Sequence, residues 1–255
     1  MRGLNGKNAV ITGGGSGIGR AISLRLAEEG CHVGVFDINE DGAAETVDEI
    51  AKSGGAGTVQ RCDITAYDDV KAGVEAFEAA RGSIDILVNN AGWDLCIPFL
   101  ETEFDFWRKV IDINIYGFLH MHYAVLPGME ERRGGKIVNI ASDAGRVGSS
   151  GEAVYSVAKG GLIAFTKTIA REFARSDIQV NTICPGPTDT PLLAEFTGEG
   201  ETGKKIAAGL ERAIPLGRLA QPNDLPGAVA FLASSDSNFI TGQTISVSGG
   251  LTMAG

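Results

Sequence analysis

Tyr155 and Lys159 lie four residues apart in the segment GEAVYSVAKGG. Residues i and i+4 share one face of a helix, so this phenol and this ammonium would lie one turn apart and point the same way. A nearby ammonium favours the phenolate and lowers the phenol pKa, which makes the pair a candidate acid/base for moving a hydroxyl proton. The spacing alone is also compatible with two side chains on a solvated helix surface. Whether the two residues are an acid/base pair or part of a solvated surface therefore depends on the elements around them.

The chain alternates between apolar, β-branched runs and helical patterns. The predicted strands are NAVITG, HVGVFDI, TVQRCDI, IDILVNNAG, GKIVNIAS, IQVNTICPGP and TISVSGG, and most intervals between them have helical spacing. A long helical region covers FDFWRKVIDINIYGFLHMHYAVLPGM. Strands that are apolar on both faces and separated by helices indicate a parallel sheet covered on both sides. We therefore predict one α/β domain over residues 1–255, with a Rossmann-type, doubly wound parallel sheet.

The composition excludes several classes of protein. Hydrophobic residues make up 44% and charged residues 21% of the 255 residues, which is ordinary for a folded, soluble chain. The formal net charge of -10 disfavours binding to nucleic acid or to an anionic membrane, and no apolar run is long enough to span a bilayer. The N-terminus lacks a secretory pattern, so we expect a cytoplasmic protein. The four cysteines and three histidines have no metal-ligand spacing, and we predict neither a metal nor a disulfide framework.

The loop TGGGSGIG, residues 12–19, follows a predicted strand and opens a predicted helix. Glycines permit a tight turn and close backbone approach, and a helix N-terminus favours a pyrophosphate, although a bare structural turn is the alternative. Asp37 ends the next strand, 18 residues after Gly19. A carboxylate there can accept hydrogen bonds from both ribose hydroxyls and would repel a 2′-phosphate. These features predict NAD as the cofactor rather than NADP.

Together, these motifs resemble the short-chain dehydrogenase/reductase family over nearly the whole chain. The resemblance is carried by TGGGSGIG, NNAG, Asn114 in DINIYG, Ser142 in IVNIAS, YSVAK and PGP. It implies that Tyr155 is the acid/base and that Ser142 binds the substrate oxygen. Lys159 would hold the nicotinamide ribose and, together with the positive charge of the oxidised nicotinamide, would lower the pKa of Tyr155. The resemblance also implies that Asn114 positions a water molecule, and that the protein forms a homotetramer through the helices of Asn114 and Tyr155 and through the C-terminal region ending at Gly255.

The loops at the strand ends, read with this resemblance, predict the contacts of the cofactor. We expect NAD to lie against Gly13, Ser16, Gly17, Ile18, Gly19, Asp37, Asp63, Ile64, Asn89, Ala91, Gly92, Tyr155, Lys159, Pro185, Gly186 and Thr188.

The segments that follow the strands also predict the substrate contacts, which we expect to be Trp93, Asp94, Ser142, Arg146 and Gly186. Trp93 offers a flat apolar wall suited to a cyclic or aryl group, although a tryptophan is as often part of the core packing. Residues 188–215 mix glycines with amphipathic positions and predict a substrate lid, with a disordered surface loop as the alternative.

A narrower resemblance concerns the substrate. The segments NNAGWD, MHYAVLPGM, RVGSSGEAVY, CPGPTDT and ITGQTISVSGGLTM resemble members of the family that oxidise a ring secondary alcohol beside a CoA thioester, with NAD. CoA phosphates need cationic partners, for which Arg146, Lys204 and Lys205 are candidates; ordinary solvated surface explains each charge equally well.

Three other functions stay open. The first is oxidation of a free secondary alcohol such as cyclohexanol or a 1-arylethanol. The second is reduction of a 3-oxoacyl carrier protein, against which Asp37 argues because that class usually prefers NADPH. The third is a scaffold that senses NAD(H) without turnover, against which the intact serine, tyrosine and lysine argue.

Overall fold

A parallel sheet of seven strands forms the centre of the part of the chain that the structure describes. The strands are β1 Asn8–Thr12, β2 His32–Asp37, β3 Ala56–Arg61, β4 Ile86–Asn89, β5 Gly135–Ile140, β6 Ile178–Pro185 and β7 Thr244–Val247. Their order is β3-β2-β1-β4-β5-β6-β7, and each is parallel to its neighbours. This confirms the predicted fold class.

The computed structural model describes residues 1–198 and 200–254, without the side chains of residues 200–202 and 204. Glu199 and Gly255, which belong to the predicted domain, lie outside the described residues.

Ten α-helices lie within these described ranges. They are α1 Gly17–Glu28, α2 Glu40–Lys52, α3 Tyr67–Arg81, α4 Phe104–Ile111, α5 Gly117–Arg132, α6 Ala144–Val147, α7 Ala153–Glu172, α8 Pro191–Thr197, α9 Gly200–Ala213 and α10 Pro226–Ala233. A π-helical turn over Asp112–Tyr116 joins α4 to α5, so the long helical region predicted from the sequence is not a uniform α-helix. In the described residues, no helix combines the length and the apolar character needed to cross a membrane.

Both faces of the sheet are buried, as the apolar strands predicted. Neighbouring residues of a strand point to opposite faces. Ile11 accordingly packs with Ile22 of α1 and Val229 of α10, whereas Val10 packs with Met121 of α5 on the other face. Helices therefore cover the sheet from two sides, and the polar loops at the strand ends are left to form a site.

The strand order reverses between β1 and β4, where ligands of such sheets bind outside the carboxyl ends of the strands. Asn90, directly after β4, ties the two strand ends together. Its backbone N–H donates to the Thr12 hydroxyl over 3.0 Å, and its side-chain amide donates to the carbonyls of Thr12 over 3.0 Å and Gly13 over 3.2 Å. The loops after β1 and β4 are thus held together at this reversal.

Three details differ from the sequence-based expectations. Strand β3 begins at Ala56 and ends at Arg61, so the predicted residues Cys62 to Ile64 lie beyond it. Helix α10 was not predicted, because its sequence PGAVAFLA is apolar on most sides and has no amphipathic period. Residues 188–215 contain α8 and α9 rather than a disordered loop, and their role as a lid stays a prediction.

The four apolar residues considered for a subunit interface, three on α7 and Phe173 directly after it, pack in the core of this chain. Leu162 and Ile169 are buried, and Phe165 and Phe173 pack partly buried against the same clusters. They therefore give no support to a subunit interface, and the homotetramer stays a prediction.

Gly19 allows the glycine-rich loop to pack directly on α1. A Cβ at this position would lie 2.0 Å from the Gly13 carbonyl oxygen and 2.5 Å from the Asn90 amide nitrogen. We expect Gly19→Ala to displace the loop, to lower the unfolding free energy by about 1–3 kcal/mol and to weaken NADH binding by about tenfold or more. Urea denaturation and NADH fluorescence titration measure the two effects.

Gly161→Ala is the matched control, because a Cβ at this α7 position meets no atom within 4 Å. It should raise stability by about 0.5–1 kcal/mol through helix propensity alone. If Gly19→Ala bound NADH as well as Gly161→Ala, the loop would not depend on this close contact.

Candidate active site

A cavity of about 1050 Å³ opens at the carboxyl ends of the strands. This volume is at the upper end of the range for ligand sites, about 300–1,000 Å³, and offers room for more than one small molecule. Its wall includes most of the predicted site residues: Gly13, Ser16, Gly17, Ile18, Asp37, Asp63, Ile64, Ala91, Gly92, Trp93, Asp94, Ser142, Tyr155, Lys159, Pro185, Gly186 and Thr188. The structure therefore brings together residues that are up to 175 positions apart, from Gly13 to Thr188.

Four predicted site residues, Gly19, Asn89, Asn114 and Arg146, lie behind this wall. Gly19 packs beneath the loop, as described above. Asn89 is buried at the end of β4, where its side-chain amide donates to Asn139 Oδ1 over 2.9 Å. Gly19 and Asn89 do not line this cavity, and the direct cofactor contacts expected of them stay a prediction.

The end of the cavity beside β1 and β2 has the features that a dinucleotide needs. The Ser16 side chain does not cap α1, so the first N–H groups of this helix face the cavity wall without a side-chain partner. Asp37 Oδ2 accepts from the Gly15 N–H over 2.8 Å, and Oδ1 accepts from the Asn39 N–H over 2.9 Å. Each oxygen keeps a second lone pair. A pyrophosphate at the helix end and a ribose at Asp37 fit these residues.

Ser142 reaches the cavity because α6 packs very closely on α7. A Cβ at Gly145 of α6 would lie 2.6 Å from the backbone of Lys159 and Gly160, so only glycine permits this contact. The Ser142 hydroxyl, just after β5, accepts the Ala144 N–H over 3.1 Å. Ser142 also lies near Tyr155 and lowers the phenol pKa slightly against the larger effects described below. The serine and tyrosine thus stand together on the wall.

Lys159 is buried beneath Tyr155. Its Nζ donates to the Ile140 carbonyl over 3.1 Å and lies 5.3 Å from the centre of the Tyr155 ring. Burial lowers the pKa of Lys159 to about 8, because the charged form loses its hydration. The predicted i, i+4 arrangement is therefore present, with the ammonium facing the aromatic ring.

The protein groups alone raise the pKa of Tyr155, and its expected lowering by Lys159 together with the oxidised nicotinamide stays a prediction. Burial raises the pKa of Tyr155, and the carboxyl groups of Glu152 and Asp94 raise it further. The low-dielectric surroundings penalise the phenolate more than the protein stabilises it. A base at Tyr155 therefore requires additional positive charge when the site is loaded.

Asn114 is held by the backbone of Trp93. Its side-chain amide donates to the Trp93 carbonyl over 2.7 Å, and its Oδ1 accepts the Trp93 N–H over 3.3 Å. A Cβ at Gly92 would lie 2.9 Å from Asn114 Oδ1 and 3.2 Å from Lys159 Nζ. Asn114 thus stands beside Lys159 and fixes the segment that leads into the substrate end.

Trp93 lies on the cavity wall with a partner on each side. Its ring stands 5.8 Å from that of Phe106, its Nε1 donates to Glu195 Oε1 of α8 over 3.1 Å, and Lys109 Nζ lies 3.5 Å from the ring centre. The tryptophan therefore links α4 to α8 while it forms part of the wall.

The cations that we proposed for CoA stand elsewhere. Arg146 was predicted to face the substrate, but it donates to the Ser246 hydroxyl over 2.6 Å and to the Ala254 carbonyl, away from the cavity. Lys205 is exposed, and the side chain of Lys204 lies outside the described residues. Arg108 and Lys109, which sequence reasoning missed, line the cavity mouth, although WRK at the end of a helix was a visible signal.

Two carboxyl groups lie at the substrate end. Asp94 is 4% exposed, and neither of its oxygens has a hydrogen-bond partner of normal geometry. Burial raises the pKa of Asp94 to about 7, with a smaller opposing effect from the Leu95 amide. Burial also raises the pKa of Glu152, which precedes Tyr155 on the same wall. Both groups therefore influence the charge of the site near neutral pH.

The fold and this site define an oxidoreductase that uses a dinucleotide. A family profile described as Enoyl-(Acyl carrier protein) reductase matches residues 13–252. The chain belongs to the short-chain dehydrogenase/reductase family.

Individual relatives are similar over nearly their full length. Cyclohexanol dehydrogenase of Acinetobacter sp. (strain SE19) is 39% identical over 98% of this chain and 96% of its own. Acetoacetyl-CoA reductase of Shinella zoogloeoides is 40% identical over 95% and 97%. The crystal structure of 3-ketoacyl-(acyl-carrier-protein) reductase from Brucella melitensis complexed with NADH matches with a TM-score of 0.89 and 32% identity, over 98% of this chain and 100% of its own. Similar chains thus include both alcohol dehydrogenases and ketoreductases.

The raised pKa of Asp94 predicts a pH-dependent stability. The unfolded carboxyl has a pKa of about 3.9, and the folded one about 7. A group with a raised folded pKa contributes stability below its unfolded pKa that is lost as the pH rises through the folded pKa. We expect the wild type to lose stability relative to Asp94→Asn between about pH 4 and pH 7, by up to about 4 kcal/mol, with no further change above.

Urea denaturation of both proteins across this pH range measures the difference. Glu101→Gln removes an exposed carboxylate from the same connecting segment and should show no comparable trend. Parallel pH profiles for the wild type and Asp94→Asn would show that this carboxyl is not destabilised by burial.

Proposed function

We propose that the protein oxidises a cyclic secondary alcohol to its ketone with NAD, and that its substrate is 2-hydroxycyclohexanecarboxyl-CoA, giving 2-ketocyclohexanecarboxyl-CoA. The observation that carries the reaction is one cavity with Asp37 at one end and Ser142, Tyr155 and Lys159 at the other. Asp37 supports NAD over NADP, because its carboxylate would repel a 2′-phosphate.

NAD, when bound, supplies the acceptor for the hydride that leaves the carbinol carbon. Ser142 binds the substrate oxygen, and Tyr155 accepts the proton of the substrate hydroxyl group. The positive charge of the oxidised nicotinamide, together with Lys159, counters the burial that raises the pKa of Tyr155. Lys159 holds the ribose hydroxyls, and Asn114 orders the groups behind it. The same residues return the proton in the reverse direction.

The wall near these residues supports a ring substrate. Trp93 lines the cavity, the ring of Phe106 packs edge-on against it, and Trp93 is tied to α8 through Glu195. A flat apolar surface of this kind suits a cyclohexane ring. The predicted lid, residues 188–215, contributes Leu192, Leu193 and Phe196 to the same cavity.

Arg108 and Lys109 support the CoA part of the proposal. They replace Arg146 as the cations at the cavity, and both stand exposed at its mouth, where a phosphate can reach them. A similar chain is named acetoacetyl-CoA reductase, so a related site acts on a CoA thioester.

Free alcohols are the second candidate, favoured by the similarity to cyclohexanol dehydrogenase and by the same Trp93 wall. Reduction of a 3-oxoacyl carrier protein is the third. Asp37 argues against it less strongly than the sequence suggested, because a similar reductase is complexed with NADH. A sensing scaffold without turnover is disfavoured, since Ser142, Tyr155 and Lys159 share one cavity.

Tyr155→Phe tests the acid/base. Loss of the hydroxyl removes proton transfer but keeps the ring, so we expect turnover to fall about 100- to 10,000-fold while NADH affinity changes little. NADH formation and NADH fluorescence titration measure the two. Tyr123→Phe changes an exposed tyrosine of α5 and should leave both unchanged. Turnover by Tyr155→Phe within tenfold of the wild type would overturn the assignment.

The substrate is tested by NADH formation from NAD with 2-hydroxycyclohexanecarboxyl-CoA, cyclohexanol and 1-phenylethanol at matched concentrations, and by NADP in place of NAD. We expect the thioester to give the highest kcat/KM and NAD to be preferred over NADP. Equal or better turnover of a free alcohol would instead assign the free-alcohol function. Exchange of Arg108 and Lys109 for glutamine should raise KM for the thioester alone.

A further inference from the structure

The inner end of the cavity carries more acidic than basic side chains. Asp94 and Glu152 both line it near Tyr155, and the buried cation beside them is Lys159. Asp143 also lies on this wall, but it accepts from the Ser246 hydroxyl that Arg146 contacts as well, so this carboxyl has a cation near it. The two carboxyl groups of Asp94 and Glu152 therefore outnumber Lys159, the one buried cation among the described residues at this end of the cavity.

The segments that carry these two carboxyl groups are fixed against each other. The Ile97 N–H donates to the Gly151 carbonyl over 3.0 Å, and a Cβ at Gly151 would lie 2.7 Å from Cys96 Sγ. On its other side, Asp94 follows Trp93, whose backbone is bound at both ends by Asn114. The two segments that carry the acidic pair are thus tied to each other and to Asn114.

The cavity mouth, unlike the inner end, offers exposed cations, although Asp105 and Asp112 line it beside them. Arg108 and Lys109 stand there exposed, the first paired with Asp105 over 3.0 Å and the second over the Trp93 ring. A substrate that is uncharged beside its carbinol and anionic at its distant end matches this arrangement. A substrate with a carboxylate beside the carbinol places its negative charge against Asp94 and Glu152 instead.

We propose that Asp94 and Glu152 are specificity-determining residues that admit an uncharged acyl group beside the carbinol and reject the free carboxylate. The inference rests on the proposed function and names the acyl chemistry that the site accepts. The inference implies that an earlier reaction converts the ring carboxylic acid into a thioester, which this protein then oxidises. A unit charge within about 10 Å, at an effective dielectric constant near 20, changes the binding of an anion by about tenfold or more.

The test compares the methyl ester of 2-hydroxycyclohexanecarboxylic acid with the free acid, using cyclohexanol as the reference alcohol. The ester carries the uncharged carbonyl without CoA, so the cations at the mouth do not enter the comparison. The measurement is kcat/KM with NAD at about pH 8, where Asp94 is ionised because its pKa is about 7. We expect the wild type to prefer the ester over the acid by about tenfold or more.

Asp94→Asn and Glu152→Gln keep the shape of each side chain and remove its charge. Each should raise kcat/KM for the free acid relative to cyclohexanol by about tenfold. Dividing by the cyclohexanol value removes any change in the Tyr155 pKa, since proton transfer is common to both alcohols. Glu101→Gln removes an exposed charge outside the cavity and should leave the ratio unchanged. Melting temperature and NADH titration check that each variant is folded.

Each result bears on a different statement. A wild type that oxidises none of the ring alcohols would overturn the proposed function and this inference with it. A wild type that oxidises the acid as well as the ester would overturn the inference alone. If the wild type rejects the acid but folded Asp94→Asn and Glu152→Gln reject it equally, these two residues do not determine the selection.

Discussion

Close backbone contact, possible only at glycine, determines where the polar groups of this site stand. Gly19 lets the first loop rest on α1, Gly92 leaves room between Asn114 and Lys159, and Gly145 lets α6 touch the backbone of α7. Gly19 meets both the nearby Gly13 and the distant Asn90, whereas the contacts of Gly92 and Gly145 reach residues on other helices. A side chain at any of them would push a functional group away from the cavity, so the geometry of the site depends on the absence of three Cβ atoms.

Burial shifts the pKa values of Tyr155 and Lys159 in opposite directions. The surroundings that lower the pKa of Lys159 also raise that of Tyr155, and two nearby carboxyl groups add to the second effect. The protein groups therefore favour the protonated phenol. Under the proposed function, the positive charge of a bound cofactor would offset this effect and couple cofactor binding to the readiness of the base.

The fold and most of the cavity wall could be predicted from the sequence, because their signals are local. Ile22 and Leu26 repeat with helical spacing and are buried, and Asp37 is the last residue of a strand, so their positions need little tertiary information. Contacts made across the fold were not predictable. Arg146 turns toward Ser246 and Ala254, about 100 residues away, and the pKa of Tyr155 depends on how Asp94 and Glu152 meet it in space. Helix α10 was not predicted from the sequence, because a helix that is buried on most sides has no amphipathic pattern.

The π-helical turn at Asp112–Tyr116 sets the rotational phase of a continuous helix. One additional residue per turn rotates everything after it by about 100° relative to a regular α-helix. Before this turn, α4 presents Lys109 to the cavity mouth; after it, α5 presents Met121 to the sheet core. In a regular α-helix, Lys109 and Met121 would not point in these two directions at once. The π-helical turn thus lets one continuous helix line the charged mouth of the cavity with its first part and pack in the apolar core with its second part. Asn114 lies in the turn that joins the two parts.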